Sequence, residues 1–144
     1  MYTQAQEKAQ QAGMLRTIIT ILIGKGDVYR DLGRYAEASG DHNPLHLDPE
    51  FAKNTMYGGT IAHGMITLAY VSEMMTSAFG KGWLAGGKLE INFLGPVRPG
   101  DTVTAKGKVS EKSEDNGLRT VRCDVWVENP KGDKVIAGWA SAVC

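Results

Sequence analysis

The sequence predicts an α+β fold in which an antiparallel β-sheet wraps around one long central helix. Residues 60–79 form the longest helical pattern in the chain, and apolar side chains occupy much of its circumference. Such a pattern is typical of a helix that is buried on most sides. Four later segments show the alternation and the β-branched residues of strands. The helix is then the only element apolar enough to cover one face of their sheet.

The first half of the chain contains one further predicted strand and two shorter helices. Residues 16–23 are rich in β-branched side chains and predict a strand. Asp27 has the character of an N-cap for a helix that ends at about Ser39. Residues 40–48 consist largely of turn formers and predict a loop. Asp48 at the end of that loop predicts the cap of a second, short helix.

Turn signals divide the second half of the chain into predicted strands at residues 88–94, 102–109, 118–128 and 134–143. Asn116-Gly117 is a strong signal for a tight hairpin between two of them. The simplest arrangement is a meander of four consecutive antiparallel strands. We therefore expect a single domain over residues 16–144, preceded by an N-terminal extension over residues 1–15 that is flexible.

Composition excludes several classes of function. The 144 residues contain 16 Lys plus Arg and 16 Asp plus Glu, so a basic nucleic-acid face is not expected. The opening segment, residues 1–13, lacks the apolar region of a signal peptide, and the apolar stretch at residues 17–23 is too short for a membrane span. The two cysteines, Cys123 and Cys144, are too few for a disulfide framework, and Cys123 lies in a strand pattern that predicts burial. We expect a soluble, cytoplasmic protein without nucleic-acid or membrane partners.

The residues best suited to chemistry are concentrated in one region. All three histidines, His42, His46 and His63, lie between positions 42 and 63, and Asp41 precedes the first of them. They could supply metal ligands, but their spacing matches no common zinc pattern, so we expect neither a metal nor another cofactor. In the plainest alternative, Asp41 caps a turn and Asn43 makes an Asx-turn.

A glycine at the start of the predicted central helix favours a catalytic role for these residues over the plain turn. Backbone amides at a helix N-terminus are unpaired and carry the positive end of the helix dipole. Gly64 leaves room for a substrate carbonyl beside such an amide because it has no Cβ. Asp41, His46 and this amide together would provide a base, an acid and an oxyanion donor.

Three segments of the chain resemble the MaoC-like, R-specific enoyl-CoA hydratases, also called hydratase 2. Residues 35–46 (YAEASGDHNPLH) are similar to the family's signature, and residues 61–65 (IAHGM) are similar to the start of its central helix. Residues 93–101 (FLGPVRPGD) resemble the strand and turn that follow, although that pattern also occurs in hot-dog thioesterases. The three segments occur in the family's order.

This resemblance implies a hot-dog fold and a homodimer or dimer of dimers, with sheets joined edge to edge and active sites at the interface. It assigns Asp41 and His46 as the catalytic pair and the Gly64 amide as the oxyanion donor. Asn43 would orient the loop or hold the water. For two other residues, a role in orienting the loop or in contacting substrate is expected: His63 and Met65. The segment before residue 16 is not explained by the resemblance.

The implied activity is the addition of water to a trans-2-enoyl thioester of coenzyme A or acyl carrier protein, or the reverse dehydration. A hot-dog thioesterase is one alternative, because members of that group place a carboxylate on the central helix, where this chain has Glu73. A non-catalytic subunit that binds acyl thioesters is another. The intact pair of Asp41 and His46 favours the hydratase. Acyl length, the carrier and the direction of the reaction stay open.

Overall fold

The computed structural model describes residues 18–22 and 28–144, with side chains from residue 32 onward. The predicted extension over residues 1–15 lies outside the described residues. In chain order the elements are β1 (Ile18–Leu22), α1 (Val28–Ser39), α2 (Pro44–Leu47), α3 (Pro49–Lys53), α4 (Gly64–Phe79), α5 (Lys81–Gly86), β2 (Lys88–Phe93), β3 (Thr104–Asp115), β4 (Leu118–Glu128) and β5 (Lys134–Val143). None of the described helices is long and apolar enough to cross a membrane.

The described strands form one antiparallel sheet in the order β1-β3-β4-β5-β2, so the predicted α+β class is confirmed. The predicted meander is correct for β3, β4 and β5, but it is wrong for β2, which pairs with β5 at the far edge. Residues 94–103 carry the chain across the start of α4, where the Ala62 amide donates to the Val97 carbonyl at 2.7 Å. This tertiary contact overrides the local preference for a hairpin.

The hairpin between β3 and β4 turns where the sequence predicts it. Asn116 has φ 49° and Gly117 has φ 80°, and both values belong to the left-handed region that a two-residue hairpin of type I′ requires. Strand β3 extends to Asp115, well beyond its predicted end at residue 109. Its outer half is charged and exposed, so no hydrophobic periodicity marks it, and pairing with β4 alone keeps it extended.

Helix α4 packs against the inner face of the sheet and fills the core. Its buried residues are Thr67, Val71, Met74 and Met75. They pack with sheet residues that include Val125, Val127, Ile136 and Ala140. A stripe at every fourth position stays exposed and comprises Met65, Ala69, Glu73 and Ser77. The predicted burial of the helix is therefore observed on the side that faces the sheet. The helix begins at Gly64 rather than at residue 60.

Two short helices lie in segments predicted as loops. Helix α2 falls within residues 40–48, where the side chain of Asn43 accepts a hydrogen bond from the Leu45 amide at 2.9 Å. Helix α5 falls within the glycine-rich connection after α4. A single turn has no periodicity to detect, so only its cap could reveal it. The predicted cap of α3 is confirmed, because Asp48 accepts from the amides of Glu50 and Phe51.

Cys123 is buried as its strand pattern predicts, with 2% of its surface exposed. Burial disfavours the thiolate and raises the pKa of Cys123 to about 11. Both cysteines are free. Cys123 is therefore an inert core residue, and the chemistry of the chain lies elsewhere.

Candidate active site

Helix α2 carries His46 and fixes how its ring is used. The ring Nδ1 lies 2.8 Å from the carbonyl oxygen of Ile61. A carbonyl only accepts hydrogen bonds, so Nδ1 carries the hydrogen and Nε2 is left for chemistry. Asn43 caps the helix on which the ring is mounted, and its carboxamide therefore positions His46 through the backbone.

Asp41 lies in the segment between α1 and α2. One of its carboxylate oxygens accepts a hydrogen bond from the Asn43 amide at 3.3 Å. Its main-chain carbonyl accepts a second hydrogen bond, from Nε2 of His63 at 3.0 Å. The side chain is 51% exposed. Backbone contacts thus hold the residue in place while its carboxylate stays accessible.

His63 connects the start of α4 to both members of the predicted pair. Its ring is 2% exposed, stacks on the His46 ring with centroids 3.9 Å apart, and lies 4.8 Å from the Tyr35 ring. Nε2 donates to the Asp41 carbonyl, so Nδ1 is unprotonated in the neutral ring, and it is buried without a hydrogen-bond partner. A buried polar atom without a partner is costly, and such costs concentrate at functional sites.

Side-chain atoms of Asp41, His46 and His63 all lie within 4.8 Å of one another. Two hydrogen bonds of about 2.8 Å that meet at one water oxygen span roughly 4.6 Å. A carboxylate oxygen of Asp41 and a ring nitrogen of His46 that lie within 4.8 Å of each other can therefore be joined by one bridging water.

The same three residues are the types that bind metal ions, but their orientation is poor for it. One nitrogen of each histidine is already committed to a carbonyl group. The two rings are stacked at 30°, so the lone pairs of the remaining nitrogens point along nearly parallel planes and do not converge on one ion. The arrangement of His46 and His63 fits a stack that orders a loop better than a metal centre.

The first amides of α4 are available to a ligand. Within the part of the chain that the structure describes, neither the Gly64 nor the Met65 N–H has an acceptor, and the N-cap His63 makes no side-chain cap. A Cβ at Gly64 would come within 2.8 Å of the Phe93 ring. The glycine therefore allows the Phe93 ring to lie close against the start of α4, beside unpaired, dipole-aligned donors.

These donors face an open cavity of about 720 Å³ whose wall is mostly apolar. It is lined by His46, Met56, Tyr57, Ile61, Ala62, Gly64, Met65, Thr67, Phe93, Leu94, Gly95, Pro96, Val97, Arg98, Val135 and Ile136. The volume suits an acyl chain with its thioester group. Met65 is 53% exposed at this wall. Asp41 is not among the lining residues, and its side chain is 51% exposed.

Three contributors to the site were not predicted as site residues from the sequence. The Ile61 carbonyl orients His46, and any residue type supplies a carbonyl. Phe93 and Leu94 reach the cavity from the edge strand β2, which only the tertiary fold brings to α4. Thr67 is different, because it follows Gly64 by three residues and so shares its face of the helix; the spacing alone could have identified it.

Comparison with known proteins agrees with this geometry. Residues 6–129 match the family described as MaoC like domain. The chain belongs to this family. It is 34% identical over 99 residues to the (R)-specific enoyl-CoA hydratase of Aeromonas caviae, covering 68% of this chain and 73% of that protein. It is 30% identical over 143 residues to the protein of the same name from Rhodospirillum rubrum, covering 99% and 90%.

The fold is also that of solved family members. The structure of the (R)-hydratase from A. caviae superposes with a TM-score of 0.73 at 26% identity, covering 92% of this chain and 97% of that one. The hot-dog fold that the resemblance implied is confirmed, with its sheet curved around α4.

Proposed function

We propose that this protein hydrates trans-2-enoyl thioesters to R-3-hydroxyacyl thioesters and catalyses the reverse dehydration. The observation that carries the proposal is the placement of Asp41 and His46 within 4.8 Å of each other, while His46 shares a cavity wall with the unpaired amide of Gly64. Relatives that are named enoyl-CoA hydratases and 3-hydroxybutyryl-CoA dehydratase support it.

The chemistry follows from the positions of these groups. An enoyl thioester is electrophilic at C3, and a water held between Asp41 and His46 is placed to attack there. As the C3–O bond forms, the π electrons move onto the thioester oxygen and the water loses a proton to the pair. The pair then returns a proton to C2, which restores the thioester carbonyl. One water is consumed, and since no net oxidation occurs, no cofactor is required.

The amide of Gly64 stabilises the negative charge that forms on the thioester oxygen during this reaction. Negative charge that develops on the thioester oxygen lies at the positive end of α4 and accepts a hydrogen bond from the amide. Such donors favour the transition state over the ground state because the charge is larger there. Removal of one donor of this kind typically costs ~3–4 kcal/mol in activation free energy.

The thioesterase alternative receives no support from the position of Glu73. That carboxylate is exposed and is absent from the wall of the large cavity. A non-catalytic subunit would have no need for the Asp41 and His46 pair or for the glycine that keeps the amide open. Both alternatives share the fold with the hydratase, so only the residues of the site distinguish them from it.

The decisive measurement is the ultraviolet absorbance of crotonyl-CoA in the presence of the purified protein. Hydration removes the conjugated double bond, so the absorbance falls and R-3-hydroxybutyryl-CoA accumulates. A panel of chain lengths, offered on coenzyme A and on acyl carrier protein, covers the open substrate range. Release of free thiol with the double bond retained would identify a thioesterase and contradict the proposal.

We further propose that His63 positions Asp41 by its hydrogen bond to the Asp41 carbonyl. His63→Phe keeps a ring for the stack but removes the donor, and we expect kcat to fall about tenfold or more with little change in KM. His63→Gln keeps a donor and should recover part of that loss. His42→Phe is the matched control, because the His42 side chain is exposed and makes no hydrogen bond within the described chain. Equal kcat in His63→Phe and the wild type would refute this role.

A homodimer is the third part of the proposal. Strand β2 is an edge of the sheet, and Phe93 and Leu94 at its end are 55% and 58% exposed beside the cavity. An apolar, unpaired edge is a site for pairing with another chain. A second copy joined there would also exclude water from the site and strengthen its electrostatic interactions. We place this dimer in the cytoplasm, where free cysteines persist.

Sedimentation velocity tests the dimer directly. The wild type should sediment at twice the chain mass of 15.6 kDa or a multiple of that. Leu94→Lys places a charge in the proposed interface and should shift the protein towards monomer. Leu118→Lys is the matched control, since Leu118 is 55% exposed at the start of β4, far along the sheet from β2. A monomeric wild type at micromolar concentration would overturn the proposed dimer.

A further inference from the structure

Thr67 is one of three buried polar residues in the described chain, with Thr60 and His63. Its side chain lies on α4, one turn after Gly64, and only 2% of the residue is exposed. It lines the large cavity together with Gly64 and His46. A hydroxyl placed at such a position needs a hydrogen-bond partner to offset its desolvation.

No such partner is found among the residues that the structure describes. A threonine within a helix usually donates to the carbonyl three or four residues earlier, and Thr76 on the same helix does so, to the Ser72 carbonyl at 2.8 Å. Within the described residues, the Thr67 side chain makes no hydrogen bond. The one fully enclosed side-chain atom without a partner in the described chain is Nδ1 of His63. The Thr67 hydroxyl is therefore not fully enclosed, and the residue lines both the large cavity and a smaller one beside it.

The direction of the side chain brings this hydroxyl towards the thioester. Side chains in a helix incline towards the N-terminus and lie over the residues three and four positions earlier. For Thr67 these residues are Gly64 and His63, so its side chain leans towards the first turn of α4, with which it shares the cavity wall. We propose that Thr67 donates a second hydrogen bond to the thioester oxygen and is a catalytic residue of the proposed hydration.

This inference rests on the proposed function and adds a donor that no backbone amide supplies. Negative charge grows on the thioester oxygen as water attacks C3, so a second donor lowers the barrier more than it tightens ground-state binding. The hydroxyl keeps its hydrogen throughout, and no bond to Thr67 forms or breaks. Loss of the hydroxyl should therefore lower kcat and leave KM nearly unchanged.

Two substitutions at position 67 separate the hydroxyl from the space that it fills. Thr67→Val replaces the hydroxyl by a methyl group of similar size, and kcat for enoyl-CoA hydration should fall by about 10²-fold. Thr67→Ser retains the hydroxyl and should stay within a few fold of the wild type. Thr76→Val is the matched control on the same helix, since Thr76 does not line the cavity, and its kcat should equal that of the wild type.

A spectroscopic measurement keeps this test independent of turnover. Butyryl-CoA labelled with ¹³C at its carbonyl has no double bond to hydrate, and its carbonyl stretch should shift to lower wavenumber on binding. Thr67→Val should lose part of that shift. If no enoyl thioester is hydrated by the wild type, the proposed function fails while this shift still reports on Thr67. A full shift and wild-type kcat in Thr67→Val, or a Ser variant as slow as the Val variant, would overturn the assignment.

Discussion

Asp41→Asn and His46→Gln should each reduce the hydration of crotonyl-CoA by about 10²–10⁴-fold in kcat, the usual range for loss of a general acid or base. Asparagine preserves the shape of the carboxylate but cannot accept and return a proton. Glutamine can keep the hydrogen bond to the Ile61 carbonyl, but it lacks the titratable Nε2. Steady-state kinetics and circular dichroism together separate lost chemistry from lost structure.

A double variant at Asp41 and His46 tests whether the two residues act on the same water. If Asp41 and His46 act on one water, the second substitution removes little that the first has left, so the effects of the pair are far from additive. We expect Asp41→Asn/His46→Gln to be about as slow as the slower single variant. Additive losses would show that the two residues act on different steps.

Matched controls exist for both substitutions. Asp48→Asn changes another aspartate to asparagine at the N-cap of α3, where asparagine caps about as well, and it should retain full activity. His42→Gln changes an exposed histidine next to Asp41. Near-normal turnover by Asp41→Asn or His46→Gln would refute the assignment of the pair.

The features that were predictable from the sequence are those with a local physical signal. The Asp48 cap, the Asn116-Gly117 hairpin and the strands β4 and β5 follow from turn chemistry and periodicity, which act over a few residues. The position of β2 does not, because it depends on the contact between residues 94–103 and the start of α4. That contact joins segments distant in sequence, and no local pattern encodes it.

The candidate site also contains residues that the sequence predicts and residues that it does not. Asp41, His46 and Gly64 are recognisable because their residue types and order resemble a family signature. The stacking of His63 on His46 is a tertiary contact between two segments, and the sequence predicts only that His63 lies near the loop. The spacing of Thr67 from Gly64 indicates a shared helix face, but it does not indicate a role for the hydroxyl. Its significance lies in a hydrogen bond that it does not make, and this is visible only when every acceptor around it is known.

Gly64→Ala should reduce kcat/KM for crotonyl-CoA by at least about tenfold and leave the protein folded. The added methyl group would stand 2.8 Å from the Phe93 ring and project into the space before the amide. Phe93 is 55% exposed and can move aside. The substitution should therefore hinder the approach of substrate more than it lowers the stability of the fold. Alanine is also the better helix former, by about 1 kcal/mol, and thermal unfolding should show no loss of stability.

Gly33→Ala is the control for a glycine-to-alanine substitution in a helix away from the cavity. Gly33 lies in α1, and an added Cβ there has nothing within 4 Å, so the same substitution changes helix propensity without touching the site. We expect Gly33→Ala to retain wild-type kinetics. Equal activity of Gly64→Ala would contradict a role for the close approach of substrate to the Gly64 amide. A selective loss in Gly64→Ala would tie catalysis to the N-terminus of the central helix.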